Sequence, residues 1–270
     1  MRAGTRENAS ASRGEQRMRY LVAIPVFNEA QTVRGVLEQV RRFASDILVI
    51  DDGSTDETPQ LLRAEQGIHL IRHHSNRGYG QSLIDAFRYA ADHGYDWLIT
   101  IDCDEQHDPE WIPEFLGCAA EDNADIISGS RYLTDLDGNS LPPVDRRAIN
   151  QKITDLLNEV LGLSLTDSFC GFKAYRVETL RRLNITVPGY AMPMQFWVQA
   201  VRVGLRIKEI PVRLVYTDAN RTFGGSLDDP DARLLYYYDV LIHELSRPQA
   251  GAEPLRGRMV EPCRCERDRR

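Results

Sequence analysis

Short apolar runs recur along the first half of the chain, and each stops at a polar or acidic cluster before a stripe of helical period begins. Residues 19–24, 46–50, 68–71, 97–101 and 124–128 read as strands. Between them Val33, Val36, Leu37 and Val40 share one helical face, as do Leu83, Ile84 and Phe87. Strands alternating with helices imply an α/β fold, a mainly parallel sheet joined by right-handed crossovers. Ligands of such sheets bind outside the carboxyl ends of the strands, so the pattern also says which edge to search.

Local signals refine the picture. Pro25 ends the first strand, and Asn28 with Gln31, then Ser54 with Glu57, have capping-box spacing. The second half is less regular. Ile149, Ile153, Leu156, Leu157, Val160 and Leu161 form a strong helical stripe. Residues 166–175 look extended, 195–203 helical, 206–216 extended with a break at Pro211, and 234–245 helical. Residues 132–144 and 218–231 read as polar loops. One domain is expected over residues 18–246, flanked by disordered segments 1–17 and 247–270, with Met18 a candidate start.

Oxygen ligands cluster where the strands end. After the fourth come Asp102, Cys103, Asp104, Gln106 and His107. Two alternating carboxylates and a neutral oxygen suit Mg²⁺ or Mn²⁺ that keeps positions open for phosphate. Asp-x-Asp alone is weak, and a solvated acidic loop is the plainer reading of it. The first strand, however, ends in Pro25, Phe27 and Glu29, and the second in Asp51 and Asp52. Phe27 can pack on a base or ribose, Glu29 can accept from sugar hydroxyls or a base N–H, and Asp51 or Asp52 from a ring N–H. The Asp pair would also serve as partner to a helix amino terminus. Three polar strand ends on one sheet edge predict a composite site.

The segments Ile24-Pro-Val-Phe-Asn-Glu29, Val49-Ile-Asp-Asp-Gly-Ser-Thr-Asp56, Asn76-Arg-Gly-Tyr-Gly80 and Asp102-Cys-Asp-Glu-Gln-His107 resemble the family 2 glycosyltransferases of GT-A fold. Ser128-Gly-Ser-Arg-Tyr132 and Thr166-Asp-Ser-Phe-Cys-Gly-Phe-Lys-Ala-Tyr175 are similar to the dolichyl-phosphate mannosyltransferase and polyprenyl-phosphate glycosyltransferase branch. The resemblance implies a mixed, mostly parallel central sheet flanked by helices. It implies that Pro25, Phe27, Glu29, Asp51 and Asp52 bind the nucleotide, and that Asp102, Asp104 and Gln106 hold metal and diphosphate. It places Arg131 at the donor phosphate, Arg146 or Arg147 at an acceptor phosphate, and Arg221 on a loop that closes over the site. The implied reaction is inverting transfer of mannose or glucose from GDP-mannose or UDP-glucose to a polyprenyl or dolichyl phosphate. Asp104, Arg131 and Arg221 would carry the chemistry. Charge developing on the departing diphosphate calls for a divalent cation and arginines, whose fork matches phosphate.

Two departures are informative. Many inverting relatives place an acid in the segment that here reads Gly189-Tyr-Ala-Met-Pro-Met-Gln-Phe196, and Gln195 stands where Glu is common. A neutral amide is no general base, whereas an anionic lipid phosphate needs none. Gln195 is accordingly assigned to acceptor binding. The alternatives are transfer to a hydroxyl acceptor and a nucleotide-sugar-binding module without turnover. Second, no run is long and apolar enough to span a bilayer. Tyr236, Tyr237 and Tyr238 beside Leu234 and Leu241 offer peripheral membrane contact, though packing on the core is the plainer expectation. A net charge of −7 argues against nucleic acid as partner. Five scattered cysteines suggest a reducing compartment rather than a disulfide framework, hence a cytoplasmic protein. Cys263 and Cys265 are read as incidental, and His73 and His74 as solvated loop residues. His107 is given a supporting position beside the metal residues.

Overall fold

The computed structural model describes residues 18–136, 144–215, 224–248 and 261–262. One sheet contains β1 (Tyr20–Val26), β2 (Ile47–Asp51), β3 (His69–Arg72), β4 (Trp97–Thr100), β5 (Ile126–Ser130), β6 (Lys173–Arg176), β7 (Ile207–Pro211) and the two-residue β8 (Glu261–Pro262). Their order is β3-β2-β1-β4-β6-β5-β7-β8. β6 runs antiparallel to both β4 and β5, and the other ladders are parallel. The helices are α1 (Val33–Arg41), α2 (Thr58–Ala64), α3 (Tyr79–Asp92), α4 (Ile112–Ala120), α5 (Val144–Leu161), the short α6 (Val177–Leu180), α7 (Met192–Arg202) and α8 (Pro230–Ser246).

The strands β1, β2 and β4 are nearly continuous apolar runs because both faces of the sheet are covered there. Alternate residues serve opposite faces. Leu21, Ala23, Leu48 and Ile50 join one core with residues of α3, α5, α7 and α8. Val22, Ile24, Val49 and Ile99 join the other with residues of α1 and α4. Each such buried Val, Leu or Ile contributes about 1.5–3 kcal/mol relative to exposure. β3 is the edge strand of this half, and His69, Leu70 and Arg72 are exposed on it.

Several local expectations are corrected. Neither capping box forms: α1 starts at Val33 and α2 at Thr58, both without a side-chain cap. Asn28 and Ser54 bond across to each other's loops instead, a competition that spacing cannot show. α7 begins three residues before the expected Gln195, with Pro193 in its first turn. Within the expected disordered tail, Glu261 and Pro262 pair with β7, and the remainder, Cys263 and Cys265 included, lies outside the described residues. So does the segment 1–17. Cys103 and Cys170 are free and buried, while Cys118 on α4 is disulfide-bonded, which weakens the cysteine argument for a reducing compartment. Among the described residues no helix is long and apolar enough to cross a membrane.

Candidate active site

The carboxyl ends of β1 and β2 are latched to each other. Asn28 takes a left-handed conformation (φ 56°), which Asn tolerates better than most residues. Its N–H donates to Ser54 Oγ (2.9 Å), and its Oδ1 accepts from the N–H groups of Thr55 (2.8 Å) and Asp56 (3.3 Å). The Glu29 N–H donates to Thr58 Oγ1 (2.9 Å). This backbone leaves Phe27 43% exposed beyond Pro25 and tucks the Glu29 side chain inward, where Oε2 accepts from Thr32 Oγ1 (2.8 Å). Thr32 Oγ1 also lies 4.0 Å from Cys103 Sγ, which brings the loop after β4 alongside.

The two aspartates ending β2 differ. Asp51 Oδ1 accepts from the Ser54 N–H (2.9 Å). Asp51 Oδ2 is buried beside Arg72 Nε (3.1 Å) but makes no hydrogen bond, so it retains accepting capacity. Asp52 is engaged at both oxygens: Oδ1 accepts from the Arg77 N–H (2.8 Å) and faces His73 Nδ1 (2.6 Å), and Oδ2 accepts from the Gly78 N–H (2.8 Å). His73, expected in solvent, is buried between Asp52 and Asp85.

β4 delivers Asp102 and Asp104. Asp102 is partly exposed, and its Oδ1 accepts from Tyr79 OH (2.9 Å). It sits against the backbone of Gly171, where an added Cβ would collide with the carboxylate. Asp104 Oδ1 accepts from the Gln106 N–H (3.1 Å), the intervening Glu105 being left-handed (φ 58°). The Gln106 carbonyl accepts from the Val215 N–H (3.2 Å), which ties this loop to the chain leaving β7. His107 is buried, with Nδ1 3.7 Å from Asp102 Oδ2 and Nε2 3.6 Å from Cys170 Sγ. Burial opposes its charge, but Cys170, Asp102 and Asp104 outweigh that and lift the imidazole to about 9. Asp102, Asp104 and Gln106 supply hard oxygens, though among the described residues no group of three or more His, Cys, Asp or Glu could hold a metal ion. Two carboxylates with open positions are nonetheless what Mg²⁺ shares with substrate phosphates.

The end of β5 carries Arg131, which is not a free fork. Its Nε and Nη2 donate to Oδ2 and Oδ1 of the buried Asp167 (2.6 and 2.9 Å). Burial pushes the Asp167 carboxyl up, and Arg131 overrides that and holds it below the usual range. Asp167 also accepts from the Phe169 and Cys170 N–H groups, so the pair braces the turn that leads to Gly171. Glu209, buried on β7, accepts from the Thr166 and Asp167 N–H groups and braces the same turn. Burial raises its carboxyl to about 7 against those bonds. Arg131 and Arg147 both lie 5.5 Å from the Tyr132 ring, and Arg146, on the same helix as Arg147, acts electrostatically on Tyr237. Arg221 lies outside the described residues.

Gln195 is not placed to meet an acceptor. It is 1% exposed, its Oε1 accepts from the Thr186 and Val187 N–H groups (2.7 and 3.0 Å), and its Nε2 donates to Glu244 Oε2 (2.9 Å) on α8. Tyr237 packs inward as well, while Leu235 and Ile242 are exposed on α8. Sequence reasoning missed Tyr79, His73, Asp167 and Lys173. The signal for Lys173 was a charge between the apolar Phe172 and the run Ala174-Tyr175. It is buried on β6, donates to the Cys170 carbonyl and lies 5.6 Å from the Trp197 ring. Lys173, Tyr79, Phe169, Pro193 and Trp197 line a small pocket of about 20 Å³.

The chain is similar to known proteins in sequence and in fold. The model of the family described as Glycosyl transferase family 2 matches residues 21–183. An undecaprenyl-phosphate mannosyltransferase of Micrococcus luteus is 33% identical over 209 residues, covering 73% of this chain and 84% of its own. A polyprenol monophosphomannose synthase of Mycolicibacterium smegmatis is 29% identical over 220 residues, covering 77% and 81%. Among solved structures, glucosyl-3-phosphoglycerate synthase from Mycobacterium tuberculosis, in complex with Mn²⁺, UDP and glucosyl-3-phosphoglycerate, superposes with a TM-score of 0.66. It is 19% identical and covers 87% of this chain and 82% of its own, a likeness of fold.

Proposed function

Because this chain belongs to glycosyl transferase family 2 and has the GT-A fold, we propose that it transfers a hexose, with inversion, from a nucleotide-diphosphate sugar to a polyprenyl phosphate. Lipid-phosphate transferases among its relatives support the acceptor class. One observation carries it on the structural side: the segment that opens α7 has no acid, and Gln195 within it is turned into the core. A phosphate acceptor is already anionic, so its oxygen attacks the anomeric carbon as the bond from that carbon to the diphosphate breaks. No proton need be removed.

Asp51 or Asp52 would read a ring N–H of the base, and the exposed Phe27 would pack beside it. Glu29 would accept from the sugar or base. Asp102, Asp104 and Gln106 would hold Mg²⁺ or Mn²⁺. When bound, that cation neutralises charge on the leaving diphosphate. Arg131 would direct its remaining N–H toward donor phosphate while Asp167 fixes its plane. Arg146 and Arg147 on α5 would meet the acceptor phosphate, and Arg221 would close over the site. The exposed Leu235 and Ile242 support peripheral contact with the membrane that holds such a lipid.

The experiment is incubation with labelled GDP-mannose or UDP-glucose, polyprenyl phosphate and Mn²⁺, followed by extraction of lipid-linked sugar. Product from one donor, lost in Asp104→Ala, is the expected result. Transfer only to hydroxyl acceptors, or none from either donor, overturns the reading.

A further inference from the structure

His73 is not among the expected site residues, yet only 4% of its side chain is exposed. It follows the edge strand β3, where exposure is the rule and burial has a cost. Its Nδ1 faces Asp52 Oδ1 (2.6 Å) and its Nε2 faces Asp85 Oδ2 (3.0 Å). Each ring nitrogen thus lies within hydrogen-bond distance of a different acid, so the ring bridges Asp52 on the sheet edge to Asp85 on α3. Asp85, on α3, is steadied in turn by Gln81 Nε2 (3.1 Å) and faces Arg88 (3.5 Å) and Arg77 (3.8 Å).

What Asp52 then holds is the start of α3. It accepts the N–H groups of Arg77 and Gly78, two donors that the helix itself leaves unpaired. Gly78 is in the left-handed half of backbone space (φ 101°), and a Cβ there would collide with the Pro188 carbonyl, so the turn is gripped on both sides. The next residue is Tyr79. Its ring stacks on Tyr190 (5.7 Å) and its hydroxyl donates to Asp102 Oδ1. A shift of the turn moves the phenol directly.

We propose that His73 is a positioning residue for the metal-side carboxylate Asp102, acting through Asp52, the Arg77–Gly78 turn and Tyr79. The inference rests on the reading of Asp102 and Asp104 as cation ligands, and it adds a control point on the far side of the nucleotide site. Partners that orient a ligating carboxylate typically alter metal affinity by one to two orders of magnitude.

Two readouts test it. The first needs no ligand: amide hydrogen exchange at Arg77 and Gly78 accelerates roughly tenfold or more in His73→Phe, as expected for loss of a buried hydrogen bond. The second is calorimetric titration of Mn²⁺ in the presence of UDP and, separately, GDP. His73→Phe weakens the apparent Mn²⁺ affinity roughly tenfold. In a Tyr79→Phe background the same substitution adds less than about twofold, because the path is already cut. Should His73→Phe fail to fold, Asp85→Asn breaks the far end of the path and is expected to move the same readouts. Unchanged exchange, or an equal loss of affinity with and without the Tyr79 hydroxyl, overturns the proposal. A wild-type protein that binds neither nucleotide with Mn²⁺ overturns the site reading instead, and exchange still decides whether His73 holds the turn.

Discussion

The two sides of the sheet edge are built by different rules. On the side of β1, β2 and β4, side chains that shape the site bond chiefly to backbone: Asn28 to Thr55 and Asp56, Asp51 to Ser54, Asp52 to Arg77 and Gly78. On the side of β5, β7 and α7, buried polar side chains bond to one another as well as to backbone: Arg131 to Asp167, Gln195 and Gln199 to Glu244. A backbone partner cannot be mutated away, whereas a buried side-chain partner can. Substitutions on the first side should therefore be felt mainly as lost binding or catalysis, and on the second mainly as lost stability.

The sharpest way to break this contrast is Arg131→Ala. It strands the buried Asp167 carboxylate and should cost about 3–5 kcal/mol in denaturant unfolding, besides activity. A change within experimental error would show that the acceptor side is not held by its ion pair. Asp104→Ala is the counterpart: transfer should fall by roughly a hundredfold or more while the melting temperature stays close to that of the parent. Gln195→Glu places a second acid against Glu244 and should destabilise by about 1–3 kcal/mol. It should not create transfer to hydroxyl acceptors, and if it does, the residue faces the site after all. The smallest effect concerns pH. Glu209 binds its proton more tightly in the native state (about 7) than its ordinary value of 4.5, so its contribution is full below 4.5 and lost as pH rises toward 7. Melting curves of Glu209→Gln should lack that decline, and identical slopes in the two proteins would refute it.

The same contrast explains what could be read beforehand. β1, β2 and β4 are covered on both faces, so they appear as apolar runs, and the acids that follow them fall on the expected edge. β6 is four residues long and half polar, and no period in Lys173-Ala-Tyr-Arg176 announces its direction. Asn28 and Ser54 had the right chemistry for caps, but partners 26 residues away claimed them. Gln195 was placed in the right segment on the wrong face, because a carboxylate 49 residues later fixes its orientation. His73 looked solvated because Asp52 and Asp85, which bury it, lie 21 and 12 residues away on other elements.

The reversed direction of β6 has a further consequence for how such a protein can change. A strand laid against its neighbours' direction reaches the working edge with the peptide that precedes it, here Asp167 to Gly171, whereas every parallel strand reaches it with the peptide that follows. Lengthening the chain just before β6 would thus remodel the floor under Asp102, and lengthening it after Arg176 would alter only the opposite rim. Diversification of relatives by insertion should be sparse at the first position and tolerated at the second.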